Sequence, residues 1–149
     1  MILVSQFVIA QSTEISGKYD KIGKFQNGLA IVRKGSLYGA INTQGKEVIK
    51  PAYDHISGFK STGLAYTRKN NLVGLVDSTG KVIANNEYDH IGSFRGNNAV
   101  VKKGRLSGVI NRQGKLIVDI KYEKLKCEQN GVIIAINPDK TQVLVKPNS

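Results

Sequence analysis

Residues 19–52 read YDKIGKFQNGLAIVRKGSLYGAINTQGKEVIKPA, and the same frame returns at Tyr53 and again at Tyr88. Tyr19, Tyr53, Tyr88 and Tyr122 stand 34, 35 and 34 residues apart, each followed by an acid: Asp20, Asp54, Asp89 and Glu123. Ile22, Ile56, Ile91 and Leu125 come next, then Phe25, Phe59 and Phe94, then Ala30, Ala65 and Ala99. Basic pairs follow at Arg33-Lys34, Arg68-Lys69 and Lys102-Lys103. After them come LYGAI from Leu37, LVGLV from Leu72 and LSGVI from Leu106. Each copy closes on a Gly-Lys step at Gly45, Gly80 or Gly114 and an aliphatic pair. Self-similarity at a fixed period marks a repeat architecture. Here it comprises three full copies and an altered fourth, which has Glu128 in the Phe slot.

Within one copy the pattern is of short strands and tight turns. Side chains alternate across a strand, so Leu37, Gly39 and Ile41 share a face with the inward direction expected of it. Tyr38, Val73 and Ser107 fall on the other face, in a slot indifferent to polarity. NTQG, DSTG and NRQG place Asn42, Asp77 or Asn111 first and glycine fourth, which suits a hairpin built on a type I turn. Lys34-Gly35, Asn70-Asn71 and Gly104 suit two-residue hairpins, because Gly and Asn tolerate φ > 0. Gly28, Gly63 and Asn97 open the preceding strand for the same reason. Glycine weakens a strand interior, so Gly39, Gly74 and Gly108 call for a steric explanation. The expectation is an aromatic ring, from a Tyr or Phe slot, lying across the bare backbone. GVIIAINPDKTQVLV, near the end, reads as a closing hairpin turning at Asn137-Pro138-Asp139.

One copy holds about half a dozen large apolar residues, worth ~1.5–3 kcal/mol each when fully buried. That does not offset the ordering entropy of some three dozen residues at ~1–2 kcal/mol each. Neighbouring copies must complete one another's core. The fold expected is all-β, an array of about 3.5 antiparallel hairpin or meander repeats. It either stays open and twisted or closes like a barrel or propeller. The repeats run 19–52, 53–87, 88–121 and 122–149, preceded by an N-terminal segment, 1–18.

That segment begins MILVSQFVIAQ. Val8 and Ala10 suit the small-residue positions before a signal-peptidase cut at Gln11, though no Lys or Arg occurs before Lys18. Export to the periplasm, cell surface or medium is the expectation, with a first β-strand or a loose N-terminal tail in a cytoplasmic protein as the alternative. No later stretch is long enough for a membrane-spanning helix.

At 149 residues the chain supports one ordinary core, and 40% hydrophobic content excludes a disordered class. The net charge of +11 favours polyanions or acidic surfaces. Cys127 is the only cysteine, so no internal disulfide forms, and a buried, inert thiol is expected there. His55 and His90 are the only histidines, and they occupy the slot of Lys21 and Lys124. A slot that accepts lysine faces solvent, which argues against a shared metal site. The recurring acids could ring a cation, but satisfying backbone amides or pairing with lysines is the simpler role. Gly-Lys lies in a turn and lacks the rest of a P-loop. No catalytic residue, metal or cofactor is expected. The functional candidates are the basic pairs Arg33, Lys34, Arg68, Lys69, Lys102 and Lys103, all at one hairpin tip of their copy. Stacked copies would align them into a stripe that tracks an anionic polymer, the alternative being that charged tips serve solubility and protect exposed strand edges.

These residues resemble the WG-repeat family, whose units run from Tyr-Asp through a Phe and Gly-Leu-Ala to Trp-Gly and a final Gly-Lys before an aliphatic pair. The likeness extends from Tyr19 to about Val145. No Trp occurs here, and Tyr38, Val73 and Ser107 stand in its place. The resemblance implies a non-enzymatic bacterial binding or scaffold module, often exported. A protein or an anionic polymer is the expected partner. Polysaccharide or nucleic acid binding through the basic pairs is the alternative function, with nucleic acid less favoured.

Overall fold

The structure is a computed structural model that describes residues 15 and 17–148. Nearly all of the expected export signal lies outside the described residues. The described residues form four antiparallel sheets. The first comprises β1 (Lys21–Ile22), β2 (Leu29–Lys34), β3 (Leu37–Asn42) and β4 (Glu47–Tyr53), in that order. The second comprises β5 (His55–Ile56), β6 (Leu64–Lys69), β7 (Leu72–Asp77) and β8 (Val82–Tyr88). The third repeats the arrangement with β9 (His90–Ile91), β10 (Asn98–Lys103), β11 (Leu106–Asn111) and β12 (Leu116–Tyr122). The last has three strands, β13 (Leu125–Cys127), β14 (Ile133–Ile136) and β15 (Gln142–Leu144). Each sheet therefore starts just after the recurring Tyr-acid step. Packing divides the chain into two compact units. One ends at Asn70 and also takes Val76–Val82; the other takes Asn71–Leu75 and everything from Ile83.

Local chemistry accounts for the turns. Asn42 Oδ1 accepts the amides of Gln44 and Lys46 at 3.0 Å each, and Gly45 donates to the Asn42 carbonyl at 2.9 Å. Asp77 and Asn111 do the same for Thr79 and Lys81, and for Gln113 and Lys115. Gly45, Gly80 and Gly114 have φ of 77°, 88° and 80°, the left-handed residue that follows a type I turn in such hairpins. A two-residue tip forms at Asn70-Asn71 as expected, but in the first sheet Lys34 pairs with Leu37, so the tip is Gly35-Ser36 and not Lys34-Gly35. Asn70 and Asn71 both have positive φ, whereas Gly35 and Gly104 carry it alone, as in type I′ and type II′ turns respectively. One detail shifts: in the third sheet the left-handed residue before β10 is Gly96, not Asn97.

In the first unit, Leu29, Ala40 and Ile49 of the first sheet bury against Ile56, Phe59, Ala65 and Val76 of the second. Its other face, with Ala30, Val32 and Ile41, is covered by Tyr19 and Ile15. In the second unit, Val109 and Val118 bury against Leu125, Cys127, Ile133 and Ala135 of the last sheet. Within each unit, consecutive copies complete one another's core. Covering both faces also changes which residues are inside. Ala40, Leu75 and Val109, on the face opposite to the one expected inward, have 0% exposure. Leu37 and Leu106 are exposed at the hairpin tips, where no neighbouring layer reaches them. Phe25 is 47% exposed, while Phe59 in the same slot is buried.

The mid-strand glycines have a different cause from the ring predicted above. A Cβ on Gly39 would stand 2.5 Å from the Ile49 carbonyl oxygen and 2.7 Å from the Pro51 nitrogen. On Gly74 it would stand 2.6 Å from the Ala84 oxygen, and on Gly108 2.6 Å from the Val118 oxygen. The partner is backbone of the next strand. Tyr38 pairs with Tyr53 but Ala40 with Ile49, so β4 carries extra residues that bulge over Gly39. Ser107↔Tyr122 and Val109↔Val118 show the same shift around Gly108. A bulged strand bends toward its neighbour, and only glycine leaves room.

Candidate anion-binding site

The recurring acid secures the hairpin tip. Asp20 Oδ2 accepts the Gly35 amide at 2.6 Å, Asp54 Oδ2 the Asn70 amide at 2.8 Å, and Asp89 Oδ2 the Gly104 amide at 2.6 Å. The same acids place their own amides on the carbonyls of Arg33, Arg68 and Lys102. The three aspartates thus act as tip clamps, the structural role expected of them. Among the described residues, no group of His, Cys, Asp and Glu side chains gathers as a metal-ligand set. His55 and His90 are exposed, as are Lys21 and Lys124.

The six basic residues do not act as one row. Successive side chains leave a strand on opposite faces, so each pair divides. Arg33, Arg68 and Lys102 point to the face of β1, β5 and β9 partners, and Lys34, Lys69 and Lys103 to the other. Lys103 Nζ bonds Glu87 Oε2 at 2.9 Å and lies 5.1 Å from the centre of the Tyr88 ring. The first set is arranged differently. Arg33 stands opposite Lys21, Arg68 opposite His55 and Lys102 opposite His90. Like charges placed directly across a ladder destabilise a sheet, as at Lys21 and Arg33, and in the next two sheets a histidine takes the place of that lysine. No ion pair among the described residues engages Lys21, Arg33, Arg68 or Lys102.

In the first unit these groups join across two sheets. Tyr38 pairs with Arg33 on β2 and with Tyr53 on β4. Its ring meets that of His55 at 5.9 Å between centroids, tilted by 52°. Lys21, Arg33, Tyr38, His55 and Arg68 therefore form a continuous row. Beside it opens a cavity of about 200 Å³ lined by Lys21, Gly23, Ile31, Val32, Arg33 and Tyr38. Burial raises the neighbouring Tyr53 phenol above its ordinary value. Sequence reasoning placed Arg33 here but missed Lys21, Tyr38 and His55. The signal was present in the spacing: Lys21 and His55 share one slot, and Tyr38 is the lone aromatic in another.

Elsewhere, Cys127 is buried, and burial pushes its thiol up. Among the described residues, no helix is long and apolar enough to cross a membrane.

No curated protein sequence matches the chain. A solved structure similar to it is the WD40 β-propeller domain of Doa1, at 18% identity and a TM-score of 0.36, covering 84% of this chain. The chain spans about half of that structure's length (49%). The WG containing repeat matches residues 14–38, 38–72, 74–106 and 108–137, nearly the span over which the Tyr-acid steps, clamped tips and bulged glycines recur. On that ground the chain belongs to the WG-containing repeat family.

Proposed function

We propose that this chain is a non-catalytic binding module that holds anionic polymers at its hairpin tips. One observation carries the reading: basic residues face each other across the ladder at Lys21–Arg33, His55–Arg68 and His90–Lys102. At Lys21–Arg33 two cations facing each other cost stability in the free protein, and a bound anion relieves it. The recurring aspartates, occupied by the tip amides, leave these cations available. Export, argued from the opening residues alone, is the setting we favour, since anionic polysaccharides lie outside the cell. Fractionation of the native host tests that part.

The binding test compares two charge reversals of equal size. Arg33→Glu, Arg68→Glu and Lys102→Glu together should abolish retention on heparin at moderate salt. Lys34→Glu, Lys69→Glu and Lys103→Glu together should weaken it less, because those side chains lie on the other face. Wild-type retention should fall steeply as salt rises. Retention indifferent to salt and to the first triple change would end this reading. In that case, binding of an uncharged protein partner would be the better description of the module.

A further inference from the structure

The geometry points to a specific subsite in the first sheet: the Lys21–Arg33–Tyr38 cavity takes one acidic sugar unit, a hexuronate ring, from such a polymer. The inference rests on the polyanion reading and narrows it. At about 200 Å³ the cavity is smaller than the ~300–1,000 Å³ that encloses drug-sized ligands, so it admits a single ring. Its composition has three parts. Lys21 and Arg33, directly opposed on β1 and β2, supply two cations on one rim. Two such donors can hold a carboxylate from both sides, Arg33 with its planar fork and Lys21 as a point charge. Tyr38 supplies a half-buried aromatic wall with a hydroxyl at its edge, held in place by His55 and the β4 ladder. Ile31 and the bare backbone at Gly23 supply an apolar floor.

Ring and charge must therefore fit in the same small space. A hexuronate has its carboxylate bonded directly to the ring, which meets that condition. In a nucleotide the phosphate lies a whole sugar away from the base, and the two would not fit together. The other sheets lack the aromatic wall: Val73 and Ser107 take the Tyr38 slot, and Ser107 is fully buried with its hydroxyl directed at the Glu123 carbonyl. The repeat thus supplies general attraction, and the first sheet adds recognition.

The test is calorimetric titration of the full chain with trigalacturonate, its trimethyl ester and hexathymidylate, alongside heparin retention. Trigalacturonate should bind with one-to-one stoichiometry and the neutral ester at least tenfold more weakly. Tyr38→Leu should weaken trigalacturonate at least fivefold and heparin retention by a smaller factor, because heparin is also held by the cations Arg68 and Lys102 outside the subsite. Arg33→Met should weaken both. Saturation-transfer NMR on the unaltered protein gives a check free of folding effects, with the strongest transfer expected at protons of one sugar ring. Equal binding of acid and ester, no binding of either, or tighter hexathymidylate binding would each overturn the subsite. Provided heparin retention still responds to salt and to the Arg33, Arg68 and Lys102 reversal, the polyanion reading survives that result. Loss of that response overturns both.

Discussion

The first and third sheets share one backbone and differ in what they offer a ligand. Lys21 faces Arg33 as His90 faces Lys102; Tyr38, Ala40 and Ile41 pair with Tyr53, Ile49 and Glu47 as Ser107, Val109 and Ile110 pair with Tyr122, Val118 and Leu116. The tip clamp is 2.6 Å long in both. Yet at one slot Tyr38 stands half-exposed beside a cavity, while Ser107 is sealed in. Residues that recur in every copy hold the copy together. Residues that vary within the same frame make one sheet different from another.

The sharpest way to break this equivalence is to add a side chain where the bulge lies. Gly39→Val and Gly108→Val should each cost about 3 kcal/mol, because the new atoms would meet backbone that cannot move aside. Denaturant titration of the two variants should give similar losses. A large loss in one and none in the other would mean that the sheets are not built alike. Exchanging the divergent slot comes next. Ser107→Tyr forces a ring into a filled interior and should cost about 2 kcal/mol by the same measurement. Tyr38→Ser removes a half-buried ring and should cost about 1 kcal/mol. The reverse ranking would show that the cavity, rather than the buried serine, is the tightly packed version.

Removing the clamps should affect both sheets alike and more gently. Asp20→Ala and Asp89→Ala each lose a charge-assisted bond to an exposed tip, at about 1 kcal/mol. Amide exchange at Gly35 or Gly104 should quicken locally in the matching variant and not in the other. The smallest effect concerns Cys127 in the second unit. Burial raises its thiol above the ordinary range. The native state then resists ionisation that the unfolded chain permits. Stability is therefore complete below the unfolded thiol's titration and declines as pH rises from there toward the folded one. Alkylation at pH 8 should be slower than for a free thiol, and equal rates would show that the sulfur is open to solvent.

Much of the frame was legible in the sequence because it is written locally. The Asn-x-x-Gly and Asp-x-x-Gly turns, the two-residue tips and the alternating strands need only neighbours within four or five positions. The solvent-facing histidines followed from comparing slots, with no knowledge of distant contacts. The glycines did not follow, because their reason lies in a strand ten residues on that is out of simple register. Leu37 misled for a related cause. Alternation tells which residues share a face, but burial depends on whether another layer covers that part of the face.

The chain's own order of residues determined the period, the strands, the turns and the placing of cations at the tips, since each depends on short-range geometry. Tertiary structure alone decided which residues face Arg33, Arg68 and Lys102 across the ladder and that β4 bulges over Gly39. It also decided that Tyr38 meets His55 beside a cavity. Those outcomes depend on ladder register and on the approach of one sheet to the next, and neither is encoded in any single stretch.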